Sequence, residues 1–241
     1  MRPDYGIDSP GIVVGQFFLA LLGFSVALIT VRFRFFALAA GIYFLYAALN
    51  MIYYSKVGKL KLRERLLDLI PWRGDEQVLD VGCGKGLLLA AAGRRLSTGK
   101  AIGVDLWLPH AITGNGMEAV LRNAAIEGVS DRVEVKRGDV RLLPFPVESF
   151  DVVVSNFVLH EMQTPEGRRQ MLGEIVRVLR PGGRLLLVDF IFTKECVGIL
   201  RSAGMADAIR TRMGGFRFWA EAVLMFGTFQ LCSVTASKPG Y

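Results

Sequence analysis

The sequence is short of the residues that build metal centres and disulfide frameworks. It has three cysteines, Cys83, Cys196 and Cys232, with no C-x-x-C spacing, and only two histidines. A structural zinc site or a disulfide scaffold is therefore not expected, no metal is assigned, and a reducing compartment is the simpler setting. No internal repeat and no low-complexity linker occurs, which excludes a solenoid or a flexible tether as the organising theme. Charge is scarce as well, at 21% of residues against 52% hydrophobic, and the mean hydropathy is +0.38. That balance is too apolar for an ordinary soluble domain.

The missing charge is concentrated at one end. Gly11–Val31 and Phe35–Tyr54 carry none. Each run is about 20 residues, or roughly 30 Å as a helix, the hydrocarbon thickness of a bilayer. Ser9 and Pro10 read as N-cap and first helical position. Only Arg32-Phe33-Arg34 separates the runs, so residues 1–55 are expected to form a membrane-anchoring helical hairpin. Tyr53 and Tyr54 stand where an interfacial aromatic belt would lie. A cleaved signal peptide fits poorly because a second span follows directly; a buried soluble hairpin and a shallow, snorkelling insertion are the other readings.

Residues 56–76 open with Lys56, Lys59, Lys61, Arg63 and Arg65 against Glu64. The stretch reads as a basic juxtamembrane helix facing anionic lipid headgroups, and it places the following domain on the cytoplasmic side. The net charge of +7 is assigned to that contact and not to nucleic acid.

From residue 77 to 241, short β-branched runs alternate with helical patterns, which predicts an α/β, doubly wound, Rossmann-like sheet of seven strands. Strands are expected at Gln77–Val81, Lys100–Asp105, Val133–Arg137, Val152–Asn156, Arg184–Phe190, and near Ala208–Met213 and Phe229–Ser237. Helices are expected at Lys85–Leu96, Gly116–Glu127 and Gly167–Leu179.

Five motifs on that framework carry chemistry. Val78-Leu79-Asp80-Val81-Gly82-Cys83-Gly84-Lys85-Gly86 is a strand running into a glycine turn that lets backbone approach a ligand. Leu87 stands where a dinucleotide G-x-G-x-x-G would need its third glycine. Asp80 adds a carboxylate suited to a cationic amino-acid group and hostile to a pyrophosphate. Asp105, at the end of the next strand, can accept both hydroxyls of a ribose or cap a helix. Asp139, in Arg137-Gly138-Asp139-Val140-Arg141, can accept from an adenine amino group. Phe150–Met162 gives a buried strand ending in Ser155, Asn156, Phe157, His160 and Glu161. Val178–Val188 reads as helix, Pro181-Gly182-Gly183 stop, and strand.

This ordered set resembles the class I S-adenosylmethionine-dependent methyltransferases, particularly the small-molecule branch that includes ubiquinone-biosynthesis-type enzymes. The likeness covers Val78 to Val188 and does not extend to the hairpin. It implies S-adenosylmethionine as cofactor, with Asp80, Gly82, Cys83 and Gly84 at the methionine end and Asp105 with Leu106 at the ribose. Asp139 and Val140 would meet the adenine, and Asn156 and Phe157 would lie beside the sulfonium. His160 is the candidate general base, with packing at a helix start as its bland alternative; Glu161 and Asp189 are weaker candidates. A pocket cover is sought in Gly215–Phe226 or in Trp107–His110 with Gly114-Asn115-Gly116. The expected acceptor is small and, from the anchor, lipophilic. The competing readings are an NAD(P)-linked oxidoreductase, a non-catalytic membrane scaffold that keeps the cofactor fold, and nucleic-acid methylation. The last lacks its tetrapeptide, since Asn156-Phe157-Val158-Leu159 stands in place of Asn/Asp-Pro-Pro-aromatic.

Overall fold

The computed structural model describes residues 2–108, 114–213 and 231–240. Two apolar helices, α1 (Pro10–Ile29) and α2 (Arg34–Tyr53), form an antiparallel hairpin. They cross where Gly23 meets Gly41: a Cβ on Gly23 would lie 2.8 Å from the Gly41 nitrogen, so small residues let the backbones touch. At the tip, Arg34 Nε donates to the Ala27 carbonyl at 3.1 Å. The outward faces stay bare, with Phe35 88% and Leu28 82% exposed.

Pro10 begins α1 as expected, but Ser9 is no side-chain cap. It adopts a left-handed conformation, φ +46°, because the chain turns there out of an extended segment, residues 2–8, that lies against the rest of the molecule. α2 runs on through a π-helical turn (Tyr54–Gly58) into α3 (Lys59–Leu67). The juxtamembrane stretch is thus a continuation of the second apolar helix. Tyr54 is buried, unlike an interfacial tyrosine, whereas Tyr53 is exposed.

The remaining chain alternates β1 (Gln77–Val81), α4 (Leu87–Gly93), β2 (Lys100–Asp105), α5 (Met117–Ile126), β3 (Val133–Arg137), β4 (Phe150–Asn156), α6 (Pro165–Val178), β5 (Leu179–Asp189), α7 (Thr193–Ser202), β6 (Ile209–Arg212) and β7 (Cys232–Ser237). The strands form one seven-stranded sheet in the order β3-β2-β1-β4-β5-β7-β6. The first five are mutually parallel, and β7 pairs antiparallel with both β5 and β6. Near-continuous apolar strands such as Val152-Val153-Val154 bury both faces, as a sheet covered on two sides requires. One core joins α3, α4 and α5 to the sheet through Leu62, Leu66, Leu89 and Ala124. The other joins α6 and α7 through Met171, Leu172, Ile175 and Leu200.

The first three strands match their expected bounds, and β4 begins two residues early. The larger difference is at Pro181-Gly182-Gly183, expected to separate helix from strand. β5 already begins at Leu179, opposite Phe150, and the register then jumps so that Arg184 faces Val152. The glycines form an irregularity inside the strand: Gly182 is at φ +76° and its N–H donates to the Lys238 carbonyl at 2.8 Å. Residues 229–230 of the last expected strand lie outside the described residues.

Candidate active site

Strand order reverses between β1 and β4, and in open α/β sheets the crevice beyond the carboxyl ends at such a switch point is where ligands bind. Here the β1–α4 turn lies beside it. The Gly82 and Cys83 amides donate to the Val104 carbonyl at 2.8 and 3.1 Å, which fixes the turn against β2. Gly82, at φ +71°, has no room for a side chain, since a Cβ would sit 2.2 Å from Val158 Cγ2. Cys83 is buried beneath the turn and its thiol is pushed far up by burial and by the nearby Asp80 and Asp105 charges, so it stays a neutral packing group.

A single cavity of about 750 Å³ runs along this crevice, within the range of small-molecule sites. It brings together all eleven residues singled out in the sequence except one at its wall's underside: Asp80, Gly82, Cys83, Gly84, Asp105, Leu106, Asp139, Val140, Asn156, Phe157 and His160 all line it, Cys83 from below the turn. Two acids differ sharply in how they are held. Asp80 is 2% exposed and its Oδ2 has no partner. Burial, helped by the Asp105 charge and opposed by a backbone hydrogen bond from Leu89, raises its pKa to about 8. Asp105 accepts from the Gly84 amide at 2.8 Å and the Trp107 amide at 2.6 Å. It caps the glycine turn and not a helix, because α5 begins only at Met117.

Asp139 is engaged as well. Arg141 Nη2 reaches its Oδ2 at 2.6 Å and the Arg141 amide its Oδ1 at 2.9 Å. The Arg141 hydrogen bond holds this carboxyl below the usual range against the opposing effect of burial. Asn156 ends β4 with its Oδ1 buried and unpartnered. Phe157 follows in a left-handed conformation, φ +58°, fixed by its N–H to the Val188 carbonyl at 2.9 Å.

His160 lies one turn further on. Its Nδ1 is 3.2 Å from Asp189 Oδ2, which also accepts the His160 amide at 3.1 Å. Asp189 is fully buried at the end of β5, and its Oδ1 takes the Phe190 amide at 2.7 Å. The imidazole packs on Phe190 with ring centroids 4.8 Å apart, and its Nε2 is 3.3 Å from Glu161 Oε1. Burial works to lower the His160 pKa, but the Asp189 bond and charge, with Glu161, carry it above the ordinary imidazole value. The carboxylate fixes the tautomer with the proton on Nδ1 and leaves Nε2 as the basic nitrogen.

The opposite wall was not legible beforehand. It comes from the extended segment 4–8 and the base of the hairpin: Tyr5, Asp8, Ile12, Tyr54, Lys59 and Leu62 line the same cavity. Lys59 and Arg63, expected to face lipid headgroups, turn inward. Lys59 Nζ donates to the Tyr5 and Gly6 carbonyls and to Asp8 at 2.8, 3.0 and 3.0 Å. Arg63 Nη1 reaches Glu127 at 2.6 Å and the Tyr5 hydroxyl at 3.0 Å. Of the basic stretch, Lys56, Lys61 and Arg65 are exposed. The only hint in the sequence was the four-residue spacing of Lys59 and Arg63, which puts both on one helix face. Of the two covers sought earlier, Gly215–Phe226 lies outside the described residues, as do Pro109 and His110; Trp107 is tied to the glycine turn through Nε1 to the Gly84 carbonyl at 2.8 Å.

A switch-point crevice with a glycine turn, strand-end carboxylates and no pyrophosphate-type glycine at position 87 defines a nucleoside-cofactor-binding α/β protein. Residues 79–187 match the family model described as a methyltransferase domain. The chain is 33% identical over 152 residues to an uncharacterised methyltransferase of Mycobacterium tuberculosis, covering 61% of this chain and 70% of that protein. It is 35% identical over 158 residues to the 27-O-demethylrifamycin SV methyltransferase of Amycolatopsis mediterranei, covering 64% and 52%. The chain spans about half the length of the first curated relatives it matches. Among solved structures, the [4+2]-cyclase SpnF superposes with TM-score 0.59 at 20% identity, over 76% of this chain and 82% of that one. That likeness concerns the fold alone. The chain belongs to the methyltransferase family, whose members of this fold depend on S-adenosylmethionine.

The residues present fit that cofactor. An orphaned, buried carboxyl at Asp80 and an orphaned amide oxygen at Asn156 are acceptors awaiting donors, and an α-ammonium group supplies them.

Proposed function

We propose that this protein is a membrane-anchored methyltransferase that transfers a methyl group from S-adenosylmethionine to a hydroxyl of a small lipophilic acceptor. Asp80 and the Gly82–Gly84 turn would hold the amino-acid end of the cofactor, Asp105 and Leu106 the ribose, and Asp139 and Val140 the adenine. Arg141 already occupies part of the Asp139 carboxylate, so the adenine contact rests more on Val140 than the sequence suggested. The cofactor supplies a methyl already activated on a sulfonium. What is left to the chain is to orient the acceptor, exclude water and take up a proton. His160 Nε2, backed by Asp189, is the base, and Asp189 is a positioning residue that sets the tautomer and supports the imidazolium.

Anchoring is supported by the two 20-residue apolar helices, whose outward faces are bare instead of packed on the sheet. A soluble core helix would be covered by its own domain. On this reading residues 1–55 form the anchor, residues 56–76 the link at the cytoplasmic surface, where Lys61 and Arg65 face the headgroups, and residues 77–241 the catalytic domain.

The observation that carries the proposal is the meeting, in one cavity, of the orphaned Asp80 carboxyl with the His160–Asp189 pair. Calorimetric titration with S-adenosylhomocysteine, beside an Asp105→Ala variant, tests the cofactor half. Binding by the wild type that the variant loses is expected, and no binding by folded wild type overturns the reading. Labelled-methyl transfer to membrane lipid extracts tests the acceptor half; turnover confined to water-soluble acceptors would count against it.

A further inference from the structure

The cavity has two ends of different character. Asp80, Asn156 and His160 stand at one; Ile12, Tyr54, Leu62 and Leu66 stand at the other. Ile12 lies in the first turn of α1 and is 45% exposed, so it faces both the cavity and the surroundings of the hairpin. The Asp8 amide donates to Ser55 Oγ at 3.1 Å, which sets the start of α1 level with the end of α2. It is therefore the base of the hairpin that abuts the cavity, while the tip lies a helix length away, roughly 30 Å.

The charges decide what that arm can hold. Every cation among the described residues lining the cavity already faces an anion. Lys59 pairs with Asp8 at 3.0 Å, Lys85 with Asp4 at 3.1 Å, Arg63 with Glu127 at 2.6 Å and Arg141 with Asp139 at 2.6 Å. The carboxyl oxygen left over is that of Asp80. An anionic head would have to break one of these pairs and approach uncompensated carboxylates, both of which cost free energy. A neutral hydroxyl meets neither obstacle.

We infer that the acceptor is an uncharged, hydroxyl-bearing lipophile drawn from the bilayer past Ile12, with its tail along Tyr54, Leu62 and Leu66 and its hydroxyl at His160. This rests on the transferase reading above. In the transfer, the acceptor oxygen forms a bond to the methyl carbon as the carbon–sulfur bond breaks. The sulfur keeps that electron pair as S-adenosylhomocysteine, and the hydroxyl proton passes to His160 Nε2. Charge balances, since the sulfonium cation is exchanged for an imidazolium.

The test uses the full chain in phosphatidylcholine nanodiscs with para-decylphenol, a diazirine derivative of it, and decyl phosphate. The diazirine is expected to label the peptides carrying Ile12 and Leu62, and unlabelled decylphenol, but not decyl phosphate, should displace it. Leu62→Trp is expected to fill the arm and raise KM for decylphenol about tenfold, with S-adenosylhomocysteine affinity unchanged as the control for folding. Ile12→Trp, at a partly exposed position, should act in the same direction. Labelling away from these peptides with cofactor binding intact would overturn the inference alone, as would equal displacement by decyl phosphate. Failure of the wild type to bind S-adenosylhomocysteine would instead remove the transferase reading and this inference with it.

Discussion

The cavity has two walls, and they are built by different physics. The strand-end wall is held by backbone: Gly82 at positive φ against Val158, amide bonds to Val104, and Asp105 clasped by two amides. The N-terminal wall is held by side chains. Lys59, Arg63, Lys85 and Asn123 reach across to Asp4, Tyr5 and Asp8, some from buried positions and some, like Lys56 to Asp4, from the surface. A backbone-held wall cannot move without unfolding the sheet. A wall held by ion pairs can lift while the sheet stays intact, so the same site has a rigid half suited to a cofactor and a detachable half suited to admitting ligands.

Changes to the rigid wall should have the largest effects. His160→Ala is expected to lower kcat by about 10²–10⁴-fold while leaving S-adenosylhomocysteine affinity in place. Because the base must be neutral and its pKa is raised, wild-type activity should climb with pH through a midpoint above the ordinary imidazole value. Asp189→Asn should move that midpoint down; an unmoved pH profile would remove Asp189 from the mechanism. Gly82→Ala combines a positive φ with a clash and should cost about 4 kcal/mol in urea unfolding, with cofactor binding lost.

The latch of the other wall comes next. Glu127→Ala strands the buried Arg63 guanidinium and the Tyr5 hydroxyl, for an expected loss of about 3 kcal/mol. An Arg63→Met, Glu127→Leu double variant should recover much of it; equal loss in both would mean the pair contributes net stability of its own. Smaller still is a pH effect. With Asp80 near 8, the carboxyl is protonated at neutral pH and must ionise to receive an ammonium group. S-adenosylhomocysteine affinity should therefore rise up to about tenfold per pH unit toward 8 and level off above it, and Asp80→Asn should flatten the curve. Lys56→Ala removes an exposed pair and should shift stability by less than about 1 kcal/mol; a large shift would show that the latch is surface-borne after all.

How far the sequence carried the reading follows the same division. The parallel strands were legible to the residue at β1, β2 and β3 because β-branched runs end in glycine and acid turns whose chemistry is local. Pro181-Gly182-Gly183 misled because a glycine pair that ends a helix and one that bulges a strand look alike until Phe150 and Val152 are seen opposite. Ser9 misled similarly: its residue type suits a cap, but the direction of segment 2–8 twisted it left-handed.

By itself, then, the sequence determined the doubly wound sheet, the residues that gather at its switch point, the family and its cofactor, and two uncharged helices with bare faces. These are set by periodicity and by residues near one another in the chain. Only the tertiary structure decided that Lys59 and Arg63 turn inward, that Asp189 backs His160, and that Tyr5, Ile12 and Tyr54 complete the cavity. Each of those depends on partners 29 to 64 residues apart, and no local pattern records which distant groups a fold will bring within hydrogen-bonding reach.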